Sequence, residues 1–233
     1  MDFERMLKYC AELEAHNERP WFHENHKQYE SARKDYLDLL EVVRFAIAES
    51  APKLADDILY GQAKDWMYRI ARDMRYHHNQ PPYNPAFRAY ISPDRKSWLP
   101  IGYFLRIAPG SSCFGTGLWC ESTADTNRIR DYIRENFWEF DAILRECPIP
   151  LSGEQLKTMP RGYDAADPAA ELLRYKYWEV ITYIPDSELT TFAEFDQFIR
   201  RATTQMEPVR LWLLQAARSK PSQKQIYQTF YRL

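Results

Sequence analysis

The centre of the chain contains the segment Tyr103-Phe104-Leu105-Arg106-Ile107-Ala108-Pro109-Gly110-Ser111. In its first five residues, Tyr103, Leu105 and Ile107 alternate with Phe104 and Arg106, as in a β-strand with one face buried and the other half-exposed. The last four are typical of a type II turn, in which Pro fixes φ at the second position and Gly accepts a positive φ at the third. The same alternation occurs from Phe87 to Ile91. We therefore predict antiparallel strands in the middle of the chain.

Helical spacing lies on both sides of these strands. Apolar residues recur every three or four positions in residues 3–13 and from about Glu24 to Glu49, where Pro52 then stops the helix. The spacing returns after residue 128 and again after Asp167-Pro168, and Tyr177 to Ile184 is either a strand or the end of that helix. The final helix follows a capping box at residues 191–194 and includes Pro208 as a kink.

This order of elements predicts an α+β fold, with a central, mostly antiparallel sheet and long helices contributed by both ends of the chain. No internal repeat or Gly/Ser/Pro linker divides the sequence, so we expect a single domain over residues 1–233. Within it, about 1–52 is helical, 53–120 strand-rich and 121–218 mainly helical. Residues 219–233 form a tail or a short helix.

Composition excludes several classes of protein. The chain has 233 residues, of which 45% are hydrophobic, so intrinsic disorder is excluded for most of it. A net charge of −2 argues against a protein whose whole surface binds nucleic acid or anionic membrane. The N-terminus lacks a targeting pattern, and no apolar run approaches the roughly 18 residues that span a bilayer. The four cysteines have no metal or redox spacing, so we expect a reduced, cytoplasmic protein without disulfides and with no membrane contact.

The segment from Arg69 to Lys96 is locally basic. It carries a formal charge of +4, with Tyr76, His77, His78, Tyr83 and Tyr90 interleaved. Guanidinium groups beside phenols suit phosphate or carboxylate ligands. If residues 66–76 are helical, Arg69, Arg72 and Asp73 share a face; if they are extended, Asp73 and Arg75 do. In either conformation an Arg lies beside Asp73.

A second basic group flanks a turn, where Lys157 and Arg161 precede Gly162. These two cations could complete a pocket for the same anion, although solvated loop cations and structural Arg–Asp pairs are the commoner outcomes. The candidate ligand-binding residues are Arg69, Arg72, Asp73, Arg75, Tyr83, Lys157 and Arg161.

Other motifs carry weaker signals. His23, His26 and Glu30 could hold a metal ion in a hydrolase, but they lack zincin spacing, and we expect neither a metal nor a cofactor. Gly115-Thr116-Gly117 lies inside a strand pattern and indicates a bulge or a close backbone approach rather than a dinucleotide site. Asp73 is the one carboxylate near the basic segment that could act as a base, and we expect it to orient an Arg instead. No reaction is predicted.

Four ordered segments resemble one known family, and they span about residues 3–215. They are His16 to Phe22, Arg69 to Tyr76 with Pro82-Tyr83, Gly102 to Trp119, and Leu156 to Tyr163. They are similar to the domain of unknown function 2461 (DUF2461) family. The resemblance implies a fold shared with widespread bacterial proteins and implies no reaction.

One departure from the family pattern follows the Arg-Asp-x-Arg-aromatic core. The family usually runs Ser-x-Asp-Lys-x-Pro-Tyr-Lys there, whereas this chain has Asn79, Gln80 and Asn84 among its residues. An acid and two lysines are therefore missing. If those groups transfer protons or bind phosphate in the family, this member is altered or inactive.

Two functions remain open from the sequence. The first is a cytosolic protein that binds a small anionic ligand through its Arg/Tyr-rich central segment. The second is an interaction module that uses the same segment to bind nucleic acid or a partner protein, and the net charge makes nucleic acid the less expected partner. The sequence indicates no oligomeric state.

Overall fold

The structure is a computed structural model that describes residues 1–75, 79–93 and 99–219. The predictions that concern Tyr76, His77, His78, Arg95, Lys96 and the tail after Ser219 lie outside these residues. Helices are present at both ends of the described chain, around a five-stranded sheet with strand order β1-β2-β3-β5-β4. The α+β prediction is confirmed.

The elements run in the following order. The helices are α1 (Phe3–Ala15), α2 (Arg19–Glu24), α3 (His26–Ser50), α4 (Ala55–Leu59), α5 (Ala63–Trp66), α6 (Thr123–Glu135), α7 (Phe137–Glu146), α8 (Ala170–Leu173) and α9 (Phe192–Arg218). The strands are β1 (Phe87–Ile91), β2 (Tyr103–Ile107), β3 (Ser112–Leu118), β4 (Leu151–Ser152) and β5 (Trp178–Ile184). No helix among the described residues is both long and apolar enough to cross a membrane.

The predicted turn joins β2 to β3. Gly110 has φ +61°, and the Ser111 N–H donates to the Ala108 carbonyl at 3.1 Å. The capping box is also present, since Thr191 Oγ1 accepts from the Glu194 N–H at 3.3 Å at the start of α9. Pro208 lies inside this helix.

The helix predicted after Pro168 is much shorter than its apolar spacing indicated. It begins at Ala170 and lasts only four residues. After this helix, residues 174–176 pair with residues 154–156. The Leu156 N–H donates to the Arg174 carbonyl and the Lys176 N–H donates to the Glu154 carbonyl, each at 2.8 Å. Residues 178–184 are strand β5, so the strand alternative is the observed one.

The chain divides into two compact units. Unit 1 comprises Met1–Arg95, Gly102–Gly115 and Thr182–Thr204. Unit 2 comprises Lys96–Ile101, Thr116–Ile181 and Gln205–Leu233. Each unit is therefore assembled from separate stretches of sequence, and the single-domain organisation stays a prediction.

Each unit has its own apolar core. In unit 1, helix α3 packs on the inner face of β1 and β2: the Tyr36 hydroxyl donates to the Leu105 carbonyl at 3.0 Å, and the Tyr36 and Phe87 ring centroids are 5.3 Å apart. In unit 2, the Phe140 and Trp212 rings stack at 3.9 Å. In unit 1 the apolar face of β1 and β2 is thus covered, and the side chains on the opposite face are half-buried.

Candidate functional site

The start of the basic segment, residues 67–73, is extended rather than helical. Helix α5 ends at Trp66, and the following residues run antiparallel to the chain that enters β1: Met67 pairs with Ala89, and Ala71 pairs with Tyr83. The Tyr68 N–H donates to the Arg88 carbonyl at 2.8 Å. Of the two conformations left open by the sequence, the extended one is present.

Arg72 is held by main-chain carbonyls. Its guanidinium donates to the carbonyl oxygens of Pro81, at 2.9 Å, and of Tyr83. The Asn17 side chain also binds the backbone of Tyr83. Its amide N–H donates to the Tyr83 carbonyl and its oxygen accepts from the Tyr83 N–H, both at 3.0 Å. Arg72 and Asn17 therefore fix the path of the chain just before β1.

Asp73 and Arg75 form an ion pair where the extended chain ends in a turn, in which the Arg75 N–H also donates to the Asp73 carboxylate at 3.1 Å. The Asp73 carboxylate accepts from Arg75 Nε at 2.9 Å and from Nη2 at 2.6 Å. The hydrogen bond to Asp73 raises the pKa of Arg75. The Arg75 side chain is 80% exposed, and Arg69 is also exposed. An exposed pair of this kind contributes little to stability.

The Tyr83 side chain lies in an aromatic cluster. Its ring stacks on Phe22 with centroids 4.2 Å apart, and Phe22 in turn contacts Tyr29. Burial raises the pKa of Tyr83, while the positive charge of Arg19 lowers it. The hydroxyl therefore keeps its proton at neutral pH.

Two further arginines face each other across the sheet. Arg88 on β1 is in register with Arg106 on β2, and both are half-buried on the face opposite the core. The Nε of each is buried and has no hydrogen-bond partner among the described residues. Neither forms an ion pair with a described carboxylate. The Arg88 guanidinium lies over the Tyr68 ring, 5.5 Å from its centroid.

Electrostatics set Arg88 apart from the exposed arginines. Burial lowers its pKa, and the positive charge of Arg72 and, to a smaller extent, that of Arg106 lower it further. An arginine does not lose its proton under these conditions. The result is a cluster of three positive charges, Arg72, Arg88 and Arg106, in unit 1.

Arg88 and Arg106 are not among the ligand-binding residues predicted from the sequence. Arg88 contributes to the local charge of the basic segment, and the alternation around Arg106 places it on the polar face of its strand. If β1 and β2 are paired according to this alternation, Arg88 and Arg106 lie on the same face of the sheet. Their exact opposition depends on the register, which the long connection between the strands leaves undetermined.

Lys157 and Arg161 belong to unit 2. Both are exposed beside the predicted turn, where the Tyr163 N–H donates to the Pro160 carbonyl at 3.2 Å and Gly162 has φ +92°. Their assignment to the same site as the central arginines stays a prediction.

Unit 2 also contains a half-buried carboxylate on β5. Burial raises the pKa of Glu179, although hydrogen bonds from Trp119 and Ser152 oppose the increase. A Cβ at position 117 would lie 2.7 Å from the Glu179 Cβ, so β3 requires Gly117 there. The close backbone approach expected from the Gly-x-Gly pattern is present.

The residues considered for metal binding are spread along an exposed helical surface. His26 Nε2 lies 3.8 Å from the Glu30 carboxylate, and His23, His26 and Glu30 are all exposed. In the parts of the chain that the structure describes, no group of three or more His, Cys, Asp or Glu side chains could hold a metal ion.

Comparison with known proteins gives one match. The model of a family described as "Conserved hypothetical protein (DUF2461)" matches residues 5–212. The search of curated proteins and the search of solved structures each found no match.

Proposed function

The chain belongs to the DUF2461 family of conserved hypothetical proteins, as the resemblance predicted, and from that premise we propose that it binds a small anion. The ligand carries a phosphate or a carboxylate and lies on the outer face of β1 and β2, defined by Arg88, Tyr90, Phe104 and Arg106. The observation that supports this function is the opposed pair Arg88 and Arg106, which has no carboxylate partner in the described residues.

Without a ligand, the opposed arginines Arg88 and Arg106 lower the stability of the folded protein. Like charges directly opposite each other on two strands destabilise a sheet by roughly 0.2–1 kcal/mol. A buried N–H without a partner costs a further 1–3 kcal/mol, roughly, for each group. An anion between the two guanidinium groups would remove the repulsion between them, because guanidinium groups donate two parallel hydrogen bonds to phosphate or carboxylate oxygens.

The residues predicted from the sequence take different roles in this proposal. Arg72 adds positive charge to the cluster while its guanidinium holds the chain before β1. Tyr83 supports that chain from the aromatic cluster. Asp73 and Arg75 neutralise each other on the surface, and Arg69, Lys157 and Arg161 are exposed cations that could attract the ligand.

Thermal unfolding tests the proposal. We would measure the midpoint with inorganic phosphate, sulfate and dicarboxylates at matched ionic strength. Binding to the native state at a hundredfold excess over Kd adds about 2.7 kcal/mol, which raises the midpoint of a chain this size by roughly 5–10 °C. Arg88→Gln and Arg106→Gln should abolish the increase while leaving the unliganded protein as stable as the wild type or more so.

Arg145→Gln provides the control, because Arg145 is an exposed arginine on α7 that pairs with Asp141. This variant should respond to the anion as the wild type does. Stabilisation by a long oligonucleotide alone, with a steep salt dependence, would favour the interaction module instead. A wild type that responds to none of the anions, together with unstable Arg88→Gln and Arg106→Gln variants, would show that the pair is structural.

A further inference from the structure

We propose that the anion on the outer face is a nucleoside monophosphate, whose phosphate lies between Arg88 and Arg106 and whose base stacks on Phe104. This inference rests on the proposed function and specifies its ligand. It goes beyond anion binding because it assigns a role to the aromatic half of the same face.

The register places the two aromatic residues next to the arginines. Tyr90 on β1 is opposite Phe104 on β2, one side-chain repeat away from the pair Arg88 and Arg106. Because side chains alternate along a strand, all four project from the same face, and all four are half-buried. The face therefore consists of one cationic pair and one aromatic pair, side by side.

The spacing suits a nucleotide. Two residues along an antiparallel strand correspond to about 6.8 Å, a gap that one ribose can bridge between a phosphate and a base. A smaller anion, such as inorganic phosphate, would occupy the arginine half alone.

The ring of Tyr90 is fixed in place. Its hydroxyl accepts a hydrogen bond from the Gly102 N–H at 2.9 Å. A side chain at position 102 could not be accommodated, because its Cβ would lie 2.2 Å from the Ile91 carbonyl oxygen. Gly102 thus lets the chain approach closely enough to hold the ring. The Tyr90 ring therefore keeps its place opposite Phe104, and a base that stacks on Phe104 beside it orders little additional side chain.

The charge distribution favours a mononucleotide over a nucleic-acid strand. A strand needs cations along several successive phosphates, whereas the described residues of the outer face include one opposed pair. Arg72, the third arginine nearby, already donates to the carbonyls of Pro81 and Tyr83. The net charge of −2 also disfavours a long polyanion.

Calorimetric titration would compare inorganic phosphate, ribose 5-phosphate, AMP and CMP at constant ionic strength. The nucleoside monophosphates should bind at least tenfold more tightly than ribose 5-phosphate, a ratio that corresponds to about 1.4 kcal/mol. Phe104→Leu should reduce this preference to less than threefold without weakening ribose 5-phosphate binding. Phe104→Tyr should preserve the preference, and so should Phe45→Leu, which changes an exposed ring on α3.

The outcomes separate this inference from the function on which it rests. Equal binding of ribose 5-phosphate and the nucleotides would overturn the nucleotide assignment and leave anion binding intact. Failure of all four ligands to bind would overturn the nucleotide assignment and phosphate binding. If the dicarboxylates also failed to stabilise the protein in the thermal unfolding test, the proposed function would be overturned as well. Binding of a single-stranded oligonucleotide with no binding of AMP or CMP would replace the mononucleotide by a polymer. If Phe104→Leu does not fold, the wild-type ratio and Phe104→Tyr still decide.

Discussion

Arg130, which is buried, and Arg88, which is half-buried, differ in their hydrogen-bond partners. Arg130 in unit 2 donates to the carbonyls of Leu173 at 2.8 Å and Tyr175 at 3.0 Å, and to the side chain of Asn127. Burial lowers its pKa, yet its hydrogen bonds are made within the protein. Burial also lowers the pKa of Arg88, and no such bonds are made by Arg88 among the described residues. This difference in hydrogen bonding is the reason that the proposed function uses Arg88 and not Arg130.

Glu179 gives a pH-dependent test at a single residue. Because burial raises its pKa, the folded state binds a proton more tightly than the unfolded state does, and stability decreases as the pH rises above the ordinary value of 4.5. Glu179→Gln resembles the protonated side chain and should therefore be more stable than the wild type at pH 7. This advantage should disappear as the pH falls below about 4.5.

Denaturant unfolding between pH 4 and pH 8 measures this difference. Glu188→Gln, at an exposed position in unit 1, is the control and should follow the wild type throughout. A Glu179→Gln variant that is less stable than the wild type at pH 7 would contradict the prediction, and would indicate that the ionised carboxylate is stabilised by its partners.

Among the elements, the connection between α1 and α2 has a supporting role. Asn17 lies in it and makes two hydrogen bonds to the backbone of Tyr83, so it ties the helical N-terminal part of unit 1 to the chain that enters β1. Asn17→Ala removes both bonds. At about 1 kcal/mol for each bond, we expect a loss of about 2 kcal/mol in the free energy of unfolding.

The same variant should also weaken any anion binding, because Arg72 donates to the carbonyl that Asn17 positions. Chemical denaturation with Gln197→Ala, an exposed site on α9, as the control would measure the stability change. Equal stability of Asn17→Ala and the control would show that the two hydrogen bonds do not hold this segment.

The elements differ in how well the sequence predicts them. The long helices and the β2–β3 turn were predicted from strong local patterns in the sequence. Pro52 follows the end of α3, and Gly110 adopts the positive φ that its turn requires. The short helices α4 and α5 were not predicted, because four or five residues do not establish a periodicity. The extended segment after Trp66 was left open, since its conformation depends on pairing with residues 82–89, far along the chain.

The candidate site shows the same limit. The sequence located the basic segment and the pairing of Asp73 with Arg75, because these residues are neighbours. It did not identify the opposition of Arg88 and Arg106, which are 18 positions apart and meet only through strand register. Local chemistry was predictable from neighbouring residues, and the long-range opposition of side chains across the two strands was not.

For the whole molecule, the cysteines give a simple prediction. No disulfide joins the four cysteines, all of which the structure describes. Burial raises the pKa of Cys10 to about 12 and that of Cys120 to about 11, and it also raises the pKa of Cys147. The thiolate is the reactive form, so the folded protein should react with iodoacetamide at pH 7.5 at least tenfold more slowly than free cysteine does.

Mass spectrometry after timed labelling would count the modified residues. Cys10 and Cys113 should remain unmodified in the folded protein, since both are buried, and all four cysteines should react in guanidinium chloride. Rapid modification of Cys10 under native conditions would mean that helix α1 opens readily.

The interleaved composition of the two units has a consequence for biosynthesis. The N-terminus of a new chain leaves the ribosome first, and domains generally fold as their sequence emerges. Unit 1 takes its last piece from Thr182–Thr204, after most of unit 2 has been translated. The nascent chain must therefore keep its early helices and β1–β2 in an incomplete state until that late piece arrives, and this waiting period is when molecular chaperones would be most needed.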